Sequence, residues 1–331
     1  MGGTAPDTFS ARWDGRPARL EVFYATLSDP ATGLGCWIHH ELVAPTAGAP
    51  YAHGWAAVFR PETPPVLERF GPEPAGPARR AATDGGVLAG GDGELARSGA
   101  AVIDRRGARG TAGRLGWDLR WEDPGAEGAP PALFTFPAWA WQHHLLPAAQ
   151  VVPVPAAAFA GTVTVGTQRT ALSGAARGCV AHIFGHGNAQ RWGWLHGDLG
   201  GGDILEVVSA VARRPGLRSL PPIAMVQLRL GGRDWPRDPI VTAPLFRTAL
   251  GLPTWSVSGT IGRWRLRAEV TIPPDDSVRV QYTDPDGASA TCTNSERADA
   301  EIVLERRTTS WEVAARWDLR AGAHAEIGTR P

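Results

Sequence analysis

Large and small side chains alternate, one residue in two, through most of this 331-residue chain. In Tyr51-Ala-His53-Gly-Trp55-Ala-Ala57-Val-Phe59 the bulky residues fall on one face and the small ones mostly on the other. That is the period of an extended strand, not of a helix. Residues 160–170, 222–230, 255–272, 277–283 and 300–318 read the same way, bounded by turn signals such as Asp286-Gly287 and Pro273-Pro274-Asp275. With 41 glycines and 29 prolines, long helices would be broken repeatedly. The run 204–214 (ILEVVSAVARR) suits a helix or, given its β-branched residues, equally a strand. There is no βαβ rhythm, and no Gly-rich dinucleotide fingerprint follows a strand. The expected fold class is therefore all-β, an antiparallel sandwich or barrel.

Two Pro/Gly-rich stretches, 61–80 and 123–131, read as long surface loops. A third, 147–156 (PAAQVVPVPA), reads as a linker kept extended by Pro147, Pro153 and Pro155. It divides the chain into residues 8–150 and 156–331, lengths that suit two domains. Gly116-Trp117-Asp118-Leu119-Arg120 recurs as Arg316-Trp317-Asp318-Leu319-Arg320 near the end of the second half. Four identical letters are few, but their placement agrees with two similar halves.

Composition removes several function classes. Apolar residues make up 43% and charged residues 20%, enough to pack a core. Basic and acidic residues number 33 each, so no net field draws the chain to nucleic acid or anionic lipid. All 33 basic residues are arginine. Without lysine there is no P-loop lysine, no Schiff-base lysine and no kinase lysine. The three cysteines, Cys36, Cys179 and Cys292, form no CxxC pair and suit buried free thiols in a reducing compartment. No signal peptide opens the chain and no run of about 18 apolar residues occurs, so a cytoplasmic location and no transmembrane segment are expected.

The chemistry-bearing residues fall in three clusters. In the densest, 178–206, an extended backbone puts Trp192, Trp194, His196 and Asp198 on one face, after His182 and a Gly-rich turn. Such a face is either a pocket wall or a barrel interior in which indole N–H groups and imidazole are merely satisfied. In 21–43, Trp37, His39 and Glu41 share a face of the strand that follows the Asp29–Gly33 turn, with Tyr24 on the strand before it. In 136–146, Trp139, Trp141 and His143 lie together if the backbone is extended. Aromatic, imidazole and carboxylate groups together suit a cavity for a large apolar ligand that a few polar groups orient or protonate. Gly200-Gly201-Gly202-Asp203 reads as a hairpin tip. Neither HExxH nor a Cys/His metal spacing occurs, so no metal and no cofactor is expected. A GxSxG elbow is absent, and no obvious acidic pair accompanies the tryptophans as a glycosidase would need.

Two runs resemble a known family. Glu21-Val-Phe-Tyr24, Ser28-Asp29-Pro30-Ala-Thr-Gly33 and Trp37-Ile38 are similar to the opening of lipocalin-like proteins related to tocopherol cyclase and carotenoid 1,2-hydratase. Phe159-Ala-Gly161, Leu172-Ser-Gly174, His182-Ile-Phe184-Gly185 and Arg191-Trp192-Gly-Trp194 resemble a later stretch of the same proteins, with Ile183 and Phe184 where the family usually carries Asn and Trp. The resemblance implies two tandem lipocalin-like β-barrels or sandwiches, 8–150 and 156–331. It also implies a cofactor-independent cyclase, hydratase or pericyclase (Diels–Alder catalysts included) of natural-product metabolism, acting on a large, apolar, unsaturated isoprenoid or polyketide. His182 would be the acid/base or hydrogen-bond donor, with Glu41 and a His196–Asp198 orienting pair beside it. Tyr24, Trp37, His39, Trp139, Trp141, His143, Trp192 and Trp194 would line the cavity. The alternative is a non-catalytic carrier of a lipophilic metabolite, which needs the same cavity but no proton donor. The sequence specifies neither the substrate, the oligomeric state, nor whether the site lies inside one barrel or between two.

Overall fold

The computed structural model describes residues 7–75, 94–123, 125–126, 128–142 and 148–331. In chain order the strands begin with β1 (Arg19–Asp29), β2 (Leu34–Ala44), β3 (Tyr51–Arg60), β4 (Thr63–Pro74), β5 (Glu94–Ser98), β6 (Ala101–Asp104), β7 (Gly107–Ala112) and β8 (Leu115–Arg120). There follow β9 (Leu133–Phe134), β10 (Ala148–Ala158), β11 (Ala160–Val165), β12 (Gln168–Ala171) and β13 (Arg177–Gly185). The remainder carries β14 (Arg191–Gly200), β15 (Asp203–Val211), β16 (Ile223–Leu230), β17 (Arg233–Trp235), β18 (Phe246–Ala249), β19 (Thr254–Ile261), β20 (Trp264–Thr271), β21 (Val278–Thr283), β22 (Ser289–Arg307) and β23 (Trp311–Thr329). Among the described residues, helix is confined to α1 (Ala138–Gln142), α2 (Pro239–Thr242) and two 3-10 turns. The all-β expectation holds, and 204–214 resolves as strand β15 followed by coil.

Three antiparallel sheets result. One runs β4-β3-β2-β1-β13-β10-β9, a second β12-β11-β8-β7-β6-β5, and a third β17-β16-β15-β14-β23-β22-β20-β19-β18, with β21 on β22. The first sheet is covered on both faces. Phe23, Ala25 and Leu27 of β1 point into a core shared with Leu115, Trp117 and Leu119 of β8. Leu20, Val22 and Tyr24, alternating with them, point the other way, onto Trp194 and Ile204 of the third sheet. The third sheet encloses its own apolar core, with Leu195, Val226, Trp255 and Ile302 inside. Burial on both faces explains why β1 and β2 are almost continuously buried although their sequences alternate.

Two expectations fail for one reason. Residues 63–74, within the stretch 61–80 read as loop, form β4, and residues 148–156 of the stretch 147–156 read as linker lie in β10. Proline is tolerated in β4 because β4 is an edge strand, whose outward N–H groups need no partner. In β10, Pro153 and Pro155 fall where the pairing with β13 shifts register, at Val151/Val154 and Val154/Ala157. The first sheet thus draws strands from both sides of residues 150–156. Cys36, Cys179 and Cys292 are free and buried. No helix among the described residues is long and apolar enough to cross a membrane.

Candidate functional site

A hollow opens between the first and third sheets. Cross-strand register builds its floor: Tyr24 lies opposite His39, Val22 opposite Glu41, and His39 and Glu41 opposite Trp55 and His53. Because side chains alternate, Tyr24, Trp37, His39 and Glu41 all project from the same face, as the sequence pattern indicates. The third sheet supplies Trp192, Tyr282 and Glu326 as the roof, and Asn188 comes from the turn before β14. The enclosed volume is about 40 Å³.

The electrostatics of this hollow are unusual. Glu41 is buried, with Oε2 3.5 Å from His39 Nε2 and 3.7 Å from His53 Nε2. Burial pushes its carboxyl up to about 7; His53 and Arg69 oppose the rise, and the negative charge of Asp284 adds to it. Burial drives His39 down to about 3 and His53 to about 4. Both imidazoles are therefore neutral at pH 7, and neither contact to Glu41 is an ion pair there. Tyr24 and Tyr282 are held as phenols by desolvation, with nearby acidic groups adding to the shift. Burial also raises Glu326, opposed by the Trp192 Nε1–H that donates to its Oε1 at 2.7 Å. Among the described residues, Tyr24 Oη, His39 Nε2 and Glu41 Oε2 have no hydrogen-bond partner. Buried polar atoms normally find one; here His39 Nε2 and Glu41 Oε2 face each other at 3.5 Å, and all three residues line the hollow, where a bound molecule can reach their polar atoms. A carboxyl half-protonated near neutral pH, ringed by aromatic faces, can deliver a proton and stabilise the cation that results.

The other expected site residues lie elsewhere. His182 faces the opposite side of the first sheet, stacked on Phe23 at 4.0 Å and edge-on to Trp141 at 4.9 Å. Its Nδ1 meets Thr8 O and its Nε2 meets Glu21 Oε1, both at 2.8 Å. Glu21 also accepts the backbone N–H groups of Arg12 and Trp13. His182 thus ties the N-terminal segment to the sheet within a packed core. Trp139 and Trp141 do not lie together, because α1 is helical: Trp141 is 2% exposed and Trp139 is 59% exposed. His143 lies outside the described residues.

Trp192, Trp194 and His196 do share one face of β14, turned toward the first sheet. Trp192 reaches the hollow, and Trp194 packs edge-on against Tyr24 at 5.0 Å. His196 and Asp198 do not pair. His196 Nδ1 bonds Glu206, its cross-strand partner on β15, at 2.9 Å, and Asp198 accepts the N–H of Gly200. A residue directly across a ladder is nearer than one two positions along the same strand. Glu206 also accepts the Trp194 indole N–H and the Gln150 amide. Beyond them His324 Nδ1 bonds Glu296 at 2.6 Å. Among the described residues, no group of three or more His, Cys, Asp or Glu is placed to hold a metal ion.

Residues that the sequence reading did not single out as site residues line the hollow or, like His53, contact Glu41 beside it. His53 carried a signal: it alternates with Tyr51 and Trp55 in a strand. Tyr282, Glu326 and Asn188 carried none, because contacts distant in sequence place them: β14 pairs β23 with Trp194 opposite Glu326, β21 joins the sheet through β22, and Asn188 is held by Asp284.

The chain is similar to known proteins. A family model described as tocopherol cyclase-like matches residues 135–329. Two uncharacterized proteins of Mycobacterium tuberculosis, from strains CDC 1551 / Oshkosh and ATCC 25618 / H37Rv, are each 47% identical over 341 residues, spanning 99% of this chain and 93% of theirs. Among solved structures, CghA superposes with a TM-score of 0.61 at 12% identity, covering 100% of this chain and 96% of its own. A putative AttH from Nitrosomonas europaea gives 0.58 at 15%, covering 99% and 97%. Kievitone hydratase from Nectria haematococca gives 0.52 at 10%, covering 92% and 88%. At these identities the structures share the fold.

Proposed function

We propose that this chain, which belongs to the tocopherol cyclase-like family, adds a proton to a carbon–carbon double bond of an apolar, unsaturated small molecule held between its first and third sheets. A cyclase or hydratase type is what the family membership supports. The observation that carries the step is Glu41: a buried carboxyl raised to about 7, with Oε2 unpartnered and two neutral imidazoles beside it. The Glu41 O–H bond breaks and its proton forms a C–H bond with the alkene's π pair, leaving a cation on the neighbouring carbon. An internal hydroxyl or alkene then closes a ring, or water adds, and the proton released returns to the Glu41 carboxylate, either directly or taken up first by Glu326 and exchanged back to Glu41 through water. Protons are conserved over the cycle, so the route consumes no cofactor. Indole and phenol faces of Trp37, Tyr24 and Tyr282 stabilise the cation, by roughly 0.5–2 kcal/mol each.

A carrier would have no use for such a carboxyl, since burying a polar group without a partner costs stability. Turnover in D2O with a panel of isoprenoid and polyketide polyenes tests the reading. The expected product carries one solvent deuterium on carbon, and Glu41→Gln slows its formation by about 10²–10⁴-fold. A product with no solvent hydrogen on carbon would indicate a pericyclic reaction instead, and wild-type turnover by Glu41→Gln would remove Glu41 from the chemistry.

A further inference from the structure

The hollow is too small for the molecule it is proposed to act on. Its 40 Å³ is room for about three waters at roughly 10–15 Å³ each, whereas small-molecule sites run to about 300–1,000 Å³. Something must move, and the surroundings restrict what can. Tyr24, Trp37, His39 and Tyr282 are buried. β1 and β2 are hydrogen-bonded along both edges. The turn carrying Asn188 is held by Asp284, which accepts the Asn188 backbone N–H and side-chain amide and also binds Arg213 and Arg330.

Trp192 is the exception. Of the aromatic side chains around the hollow it alone is only partly buried, so its ring has solvent to turn into. It is held in place by two features. Its cross-strand partner is Gly328, and the indole lies flat on that bare backbone: a methyl group there would sit 2.0 Å from ring carbons Cε2 and Cζ2. Its Nε1–H donates to Glu326, a carboxyl that lines the same hollow.

We propose that Trp192 is the size-determining plug of this site: substrate enters by displacing the indole from Gly328, and the displacement breaks the Trp192–Glu326 hydrogen bond. Admission and chemistry are thereby linked. The indole N–H stabilises the charged form of Glu326, so a ligand that replaces the ring also raises the proton affinity of that carboxylate, which can then take up the proton lost from the cation. Molecules too small to push the indole aside meet a hollow in which Glu326 is still engaged. The proposal rests on the hollow being the reaction site, but its test needs no turnover.

The probe is N-phenyl-1-naphthylamine, a neutral apolar fluorophore. If the open state is populated about one time in ten, removing the plug tightens apparent affinity about tenfold. Trp192→Ala is expected to show that gain. Gly328→Ala is the independent variant, since its methyl drives the indole out while leaving it in the chain; it should tighten binding in the same direction. Trp192→Phe, which keeps a ring but has no N–H, should fall between wild type and Trp192→Ala. The probe carries no reacting double bond and its binding needs no proton transfer, so the proton-donor reading, tested by solvent deuterium in the product, and the plug fail separately. Wild-type probe affinity in whichever of Trp192→Ala and Gly328→Ala retains the native circular-dichroism spectrum would overturn the proposal.

Discussion

A carboxyl that is still half-protonated at neutral pH must show itself in stability as well as in rate. Between pH 4.5 and about 7 the folded chain keeps the Glu41 proton that the unfolded chain has released. Its contribution to stability therefore falls as pH rises through that window, by up to about 3 kcal/mol for a shift of this size. Glu41→Gln abolishes the titration, so urea unfolding from pH 5 to 8 should show wild type losing stability relative to the variant. The histidines act with the opposite sign. His39 and His40, both lowered to about 3, and His53, lowered to about 4, stay neutral while the unfolded chain takes up protons below pH 6.5. Stability is lost as pH falls from there. His40→Gln should flatten this acid limb, measured as a smaller drop in urea midpoint between pH 6 and 4. His182 has a different role: without its imidazole Glu21 loses one of its three donors and Thr8 is untied, a loss of about 1–3 kcal/mol in urea unfolding of His182→Phe. At this scale the sequence was partly readable. The common face of Trp37, His39 and Glu41, and that of Trp192, Trp194 and His196, followed from alternation. His182, expected at the cavity, lies on the other side of the first sheet, because a period of two does not say which side of a doubly covered sheet holds the hollow.

Strands were legible wherever large and small residues alternated, and illegible where proline interrupted them. Pro64, Pro65, Pro72 and Pro74 in β4, and Pro153 and Pro155 in β10, argue against strand until edge position and register shifts are known. The short α1 escaped because Trp139 and Trp141, two residues apart, read as one face of an extended chain, whereas the helical turn exposes Trp139 and buries Trp141. Close strand approach leaves its own mark. At Gly178 of β13 a methyl group would sit 2.0 Å from the Thr26 carbonyl oxygen of β1. Gly178→Ala should force these neighbours apart and cost about 3 kcal/mol or more, at or above the usual range for overpacking, read as a lowered thermal midpoint.

For the whole molecule, the architecture follows from interleaving the two halves. β1 pairs with β13, and β10 lies beyond β13 in the same sheet. Separately expressed 8–150 would carry β1 without β13, and 156–331 would carry β13 without β1. Neither is expected to give a cooperative unfolding transition alone, whereas the full chain should unfold in one. Separate transitions for the two pieces would show that each folds by itself. The family resemblance was visible in short motifs at residues 21–38 and 159–194, while the placement of a site between the sheets was not, since it depends on which faces meet. The central claim, that this meeting place holds a carboxylic acid ready to give up its proton at neutral pH, is most directly tested by carbon-13 NMR titration of the glutamate carboxyl signals, with Glu41→Gln identifying the Glu41 resonance. A midpoint near pH 7 is expected, and a midpoint near 4.5 would contradict the claim.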